Sequence, residues 1–192
     1  LDESLSPVMA DPGQVETVAP SNYLNIGFSF TVGQTVWVTG LGFYDDQTNG
    51  FINPVSVGLF SDAGDLLVST NLPAGTGATF VEGFRYVDIP SYPLNPGTNY
   101  TLVGLIQGLD VFRYTSDWQD YMTDTNVTQT SYGLYQYSDT GGLQKPGNVG
   151  SYLIYGGPNA TLSVTPVPEP SVIALGAIAL GAGLAWRRWR RF

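Results

Sequence analysis

Between Leu24 and Val32 the chain alternates without interruption. Leu24, Ile26, Phe28, Phe30 and Val32 are apolar, while Asn25, Gly27, Ser29 and Thr31 are small or polar. A period of two puts successive side chains on opposite faces of an extended strand, whereas a helix brings its apolar stripe round every ~3.6 residues. The run predicts a half-buried strand, and a strand needs a second layer to cover its apolar face. β-rich stretches follow at Thr35–Tyr44, Val55–Phe60, Leu66–Thr70, Ala78–Ile89, Asn99–Gln107 and Val111–Thr115, then near Tyr132–Tyr137, Ser151–Tyr155 and Ala160–Val164. Turn signals separate them, and no long amphipathic helix interrupts them. This pattern predicts an all-β, antiparallel β-sandwich of Greek-key or jelly-roll type over 23–165. Residues 1–22, with Pro7, Pro12 and Pro20 and no period, are expected to form an irregular N-terminal arm.

The segment Leu94-Asn95-Pro96-Gly97-Thr98-Asn99-Tyr100 carries a more local expectation. Pro-Gly supplies a tight turn, and a tyrosine opening the next strand can return its hydroxyl to the upstream backbone. The segment resembles the tyrosine corner of Greek-key sandwiches. Its role there is architectural.

The chain has no His and no Cys. That excludes a Ser-His-Asp triad, a cysteine nucleophile, a disulfide and an ordinary zinc site. Glu82 is the only glutamate between 23 and 165, and nothing there pairs an acid with a base for glycoside hydrolysis. The body is therefore expected to be non-catalytic. Residues 1–165 hold 15 acidic and 3 basic side chains (Arg85, Arg113 and Lys145), a net charge of −12. Such a body repels phosphate backbones, so no nucleic-acid partner is expected. Residues 166–192 reverse the sign: four arginines against Glu169 give +3.

That last stretch predicts a membrane anchor. Ser171–Trp186 is 16 residues long without a charge. As a helix it reaches ~24 Å, short of a ~30 Å hydrocarbon core. Arg187, Arg188, Arg190 and Arg191 can snorkel, and Trp186 and Trp189 can sit at the headgroups, which completes a span. The clustered arginines place the C-terminus in the cytoplasm and the body in the periplasm, at the inner membrane. The small-residue pairs Ala177/Gly181, Gly181/Ala185 and Ala179/Gly183 suit close helix packing against membrane-protein partners, although an Ala/Gly-rich span also contains them by composition.

Pro168-Glu169-Pro170, a short apolar helix and a terminal arginine cluster occur here in that order. Together they resemble the PEP-CTERM sorting tail. The resemblance implies a Gram-negative-type bacterium, Sec export, and cleavage near Pro-Glu-Pro by the membrane enzyme exosortase, with release to the envelope, cell surface or extracellular matrix. The body, from Phe30 to Ile106, also resembles β-sandwich modules common in PEP-CTERM proteins, through FTVGQTVWVTGLGFYD, VGLFSDAGDLL and LNPGTNYTLVG.

Three groups of side chains are candidate sites. Asp45, Asp46 and Asn49 lie in a loop whose 1-3-5-6 spacing, Asp45, Gln47, Asn49 and Gly50, is that of a calcium loop. Position twelve, however, is Ser56 where a bidentate Glu is needed, so a polar turn competes with Ca²⁺. Trp118 and Tyr121 lie in the acidic, aromatic Asp117–Asp124 loop, able to stack on a sugar or dock a partner, or to cap the sandwich. Tyr132, Tyr135, Tyr137, Tyr152 and Tyr155 form a second aromatic group. The expected function is a structural or accessory subunit of a membrane assembly, contacting partners through helix and sandwich. The alternatives are an exosortase-processed envelope protein and a carbohydrate-binding module.

Overall fold

The computed structural model describes residues 6–7, 14–17, 23–45, 48–108, 110–115, 124–139, 141–150 and 154–166. These residues form strands and no helix. In chain order the strands are β1 (Ser6–Pro7), β2 (Gln14–Thr17), β3 (Tyr23–Val32), β4 (Val36–Tyr44), β5 (Val55–Ser61), β6 (Leu66–Leu72), β7 (Thr79–Val81) and β8 (Phe84–Leu94). Then come β9 (Tyr100–Gln107), β10 (Val111–Thr115), β11 (Val127–Gln129), β12 (Leu134–Ser138), β13 (Asn148–Val149), β14 (Ile154–Gly156) and β15 (Pro158–Ser163). Every pairing is antiparallel. One sheet has five strands in the order β1, β15, β4, β8, β7. A second has seven, β13, β12, β3, β9, β5 and β6, with β11 also on β3. A small third sheet runs β14, β10, β2.

The two larger sheets are joined by a folded ribbon. β3 pairs β9 in one sheet, and β4 pairs β8 in the other. The ribbon bends where residues 33–35 and 95–99 pass between sheets. Gly97, at φ +70, donates its N–H to the Val32 carbonyl at 3.1 Å. The Tyr100 hydroxyl accepts the Asn95 N–H at 2.9 Å. The tyrosine corner expected from the sequence is therefore formed. It satisfies a backbone donor that leaves one ladder before joining the next.

The core lies between the sheets. Leu24, Ile26, Phe28, Phe30, Val57, Leu59 and Leu102 from the seven-stranded sheet share one apolar cluster with Val38, Leu41, Phe43, Phe84 and Leu94 from the five-stranded sheet. The Phe43 ring reaches across so closely that a Cβ on Gly104 would collide with it. This glycine in the middle of β9 makes room for the facing ring.

β3 departs from expectation. Its polar face is buried too: Asn25 is fully covered, and Ser29 nearly so. The covering element is the segment Gly141–Gly147, which straps the outside of the seven-stranded sheet. The Asn25 side chain receives the Gln144 N–H at 3.0 Å and donates to the Gly142 carbonyl at 3.0 Å. The Leu143 side chain lies over Gly58 of β5. Lys145 Nζ donates to the Ser61 and Asp62 carbonyls at 3.3 and 2.7 Å. Phe60, Val103, Leu105 and Leu134 are buried without belonging to the central cluster, and by register they share this outer face. The N-terminal arm departs as well. Its described parts join the sheets, β1 against β15 and β2 against β10. The Ala78–Ile89 stretch, expected as one long strand or a bent pair, is the bent pair: a hairpin, β7–β8, turned by Glu82 (φ +48) and Gly83 (φ +87).

Tyr100→Phe keeps the ring and deletes the acceptor for the Asn95 N–H. It should cost about 1–2 kcal/mol in urea unfolding at unchanged slope. An unaltered midpoint would show that the corner bond does not hold the ribbon bend.

Candidate functional site

The chain crosses from β4 to β5 through residues 45–54, and this crossing is tied down at both ends by carboxylates. Asp45 follows β4 directly, and its own N–H donates to the Gly83 carbonyl at 2.9 Å. Its side chain is buried and receives Arg85 Nε on Oδ2 at 2.6 Å. The same carboxylate accepts the Gly50 N–H at 3.1 and 3.2 Å. Arg85, on β8, is buried as well. Its Nη1 donates to the Ala78 and Thr76 carbonyls at 3.0 and 3.2 Å, and its Nη2 to the Thr48 carbonyl at 3.0 Å. The Phe80 ring lies 5.3 Å from the guanidinium carbon. A planar fork with five donors suits this arrangement, which a lysine ammonium does not reproduce.

At the other end of the crossing Asp110 is buried and accepts the Ile52 N–H at 2.8 Å and the Asn53 N–H at 3.1 Å. Asn53 Nδ2 donates to the Gly108 carbonyl at 3.2 Å. Between these anchors Phe51 and Gly75 exchange backbone bonds at 2.7 and 3.3 Å. Gly50, at φ +86, sits against Gly75, where any Cβ would strike backbone. Burial pushes the Asp110 carboxyl above its ordinary range, while the two backbone N–H groups and the Asn53 side chain pull it partly back. Burial raises the Tyr86 phenol, with the Glu82 charge adding to the effect and Asn159 opposing it.

In the oxygen-rich loop the bonding of a polar turn is present between Asp45 and Gly50. Asp45 is paired with a cation of the protein itself, and both of its oxygens are engaged. Asn49 is exposed, and Asp46 lies outside the described residues. Among the described residues no three His, Cys, Asp or Glu side chains cluster as a metal site.

The second candidate, the tyrosine group, is partly assembled. Tyr135 stands 5.6 Å from Tyr155 and 6.4 Å from Tyr137, both edge-on. Tyr155 in turn meets the buried Phe112 at 6.0 Å. The rings form a ladder from the interior to Tyr137, which is 58% exposed. Edge-on stacking holds such rings rigidly and leaves the outermost one presented to solvent. Tyr132 belongs to a separate turn before β12, and Tyr152 lies outside the described residues. So do Trp118 and Tyr121 of the acidic loop, and Pro168, Glu169 and Pro170 of the sorting motif. The anchor residues expected from the sequence, Ser171, Trp186, Arg187, Arg188, Trp189, Arg190 and Arg191, lie outside them as well. The same holds for the small residues expected to pack that helix, Ala177, Ala179, Gly181, Gly183 and Ala185. Among the described residues no helix is long and apolar enough to cross a membrane.

Sequence reasoning missed Arg85 and Asp110. Arg85 left one signal: it is one of only three cations in a body of −12, and a cation inside a β-rich stretch needs a buried partner. Asp110 left none.

Residues 10–153 match the family described as a domain of unknown function, DUF4082, and the chain belongs to that family. No curated protein matches the chain.

The two ends of the crossing differ in what their disruption should do. Arg85→Met strands a buried charge and three carbonyls, and should cost about 3–5 kcal/mol. Adding Asp45→Asn to Arg85→Met should restore part of that loss, because the amide oxygen still accepts from Gly50; additive losses in the unfolding cycle would rule out the coupling. For Asp110, the raised value means that the folded chain binds this proton more tightly than the unfolded one. Its stabilising contribution is complete below the ordinary aspartate value of ~4 and is lost as pH rises through the raised one. The thermal midpoint of the wild type should therefore fall relative to Asp110→Asn across that window, and parallel profiles would contradict it.

Proposed function

We propose that this DUF4082 chain is an exported, non-catalytic β-sandwich of Greek-key or jelly-roll type that a C-terminal helix tethers to the periplasmic face of the inner membrane. Its work is contact: it serves as a structural or accessory subunit of a membrane assembly. The observation that carries this proposal is the tail, where a 16-residue uncharged run is followed by four arginines in six residues. The body supports it. Its buried carboxylates are spent on one arginine and on backbone N–H groups, which is how a protein fixes loops rather than how it poises an acid and a base.

Pro168-Glu169-Pro170 ahead of the run favours a second fate for the same body, removal of the helix and release to the envelope. Intact mass of the native protein, purified from membranes in mild detergent, separates the two. A chain ending at Phe192 that brings stoichiometric membrane partners is the expected result. A chain ending near Pro170 would establish the processed form, and a full-length monomer without partners would refute the accessory role.

A further inference from the structure

The fold fixes which end of the body the tail leaves from. β15 runs antiparallel to β4, with Pro158 opposite Phe43 and Ser163 opposite Trp37, so the chain exits beside the start of β4. That is the corner end, where residues 33–35, the Ser61–Asp65 hairpin loop and residues 95–99 also lie. The exit is pinned. Ser163 Oγ accepts the Thr165 N–H at 3.2 Å and donates to the Thr165 carbonyl at 2.8 Å. Asp45, residues 48–53, residues 73–83, Gly108 and Asp110 lie at the opposite, clamp end.

We infer that the body stands on the membrane with its corner end toward the lipid and its clamp end away from it. The inference rests on the proposed anchoring through Ser171–Trp186. Tether length decides it. Pro166–Pro170 is five residues, and even fully extended these cover only ~18 Å. β3 alone, with ten residues, spans ~30 Å from end to end. The tether is too short to run back along the body and bring the clamp end to the bilayer. Three prolines in five residues also favour extended backbone by sequence. Both ends carry acidic and apolar side chains: Asp62, Asp65, Leu66 and Val164 lie toward the corner end, and Glu82, Asp139, Ile52, Phe80, Val81 and Tyr137 toward the clamp end, so the direction rests on the tether alone.

The absence of cysteine makes the test direct, since one introduced thiol is labelled uniquely. Ala63 at the corner end and Ala74 at the clamp end are both exposed. Full-length Ala63→Cys and Ala74→Cys would carry a donor dye in vesicles of phosphatidylethanolamine and phosphatidylglycerol with a short-range headgroup acceptor. Energy transfer should be several-fold stronger from position 63. Equal transfer, or stronger transfer from position 74, would overturn the orientation. A long Gly/Ser insertion after Pro166 should erase the difference, and an undiminished difference would show that tether length does not set the orientation. Protein that fails to float with the vesicles would instead overturn the anchoring itself.

Discussion

The constraint on which the rest of the molecule depends is that β3 must be covered on both faces. Its inward side chains, Leu24 to Val32, meet the five-stranded sheet across the core. Its outward side chains are Asn25, Gly27, Ser29 and Thr31, and they do not form an apolar surface that another sheet would cover. The solution is polar and specific. Ser29 Oγ pairs with Thr101 Oγ1 at 2.9 Å, and its N–H reaches Ser131 Oγ at 2.9 Å. Asn25 bonds the strap at both of its amide atoms. A buried amide left unmatched costs more than a matched one returns, so these bonds fix where the strap lies rather than how strongly it holds. Once the strap is seated, Leu143 covers the glycine step at Gly58, and the outer apolar residues Phe60, Val103 and Leu105 leave solvent. Gly27 makes the same demand from the backbone side, because a Cβ there would strike the Leu102 carbonyl of β9.

The Asp45–Arg85 pair solves a different problem. Loops at the end of a sandwich carry carbonyls that no ladder satisfies. Arg85 gathers three of them, from Thr48, Thr76 and Ala78, and Asp45 neutralises the guanidinium while holding the Gly50 N–H. Burying two charges is expensive, and an apolar pair of the same volume is often as stable. An apolar pair, however, would leave those carbonyls bare. The ion pair joins two separate chain segments, the crossing at Asp45 and Thr48 and the stretch Thr76–Ala78, to one planar group on β8, and Asp110 repeats the device with two N–H groups a few residues further on.

What the sequence made legible follows from the range of each signal. The period of two located β3, turn signals separated β5 from β6, and short-range turn chemistry located the tyrosine corner. All of these depend on residues close together along the chain. The strap was illegible because Gly141–Gly147 has no period, and its meaning lies in Asn25, more than a hundred residues away. β1, β2, β11 and β13 have two to four residues each, too few for a pattern to rise above composition. At the candidate site the spacing of Asp45, Gln47 and Asn49 gave a ligand pattern, yet the true partner of Asp45 sits forty positions on. A local pattern of oxygens does not distinguish a loop that waits for a cation from one that already has its own. The tyrosines show the converse: Tyr135, Tyr137 and Tyr155 were grouped by composition, and the structure brings Tyr155 of the third sheet against Tyr135 and adds Phe112 behind it.

The division of charge takes on a mechanical sense under the proposed anchoring. The foot of the chain is cationic and the body is −12, so an anionic leaflet attracts the first and repels the second. The repulsion acts only within a Debye length, ~8–10 Å near physiological salt, and Asp62, Asp65 and Asp124 sit at the end nearest the exit of the tail. A tether reaching ~18 Å when extended is longer than that range and shorter than the body. It therefore lets the acidic end stand clear of the headgroups without letting the body turn over. The prolines then act in the same direction as the carboxylates, both extending the link. A body on a longer or glycine-rich link would have no such preference, so under this anchoring the shortness of Pro166–Pro170 is what sets which end faces the bilayer.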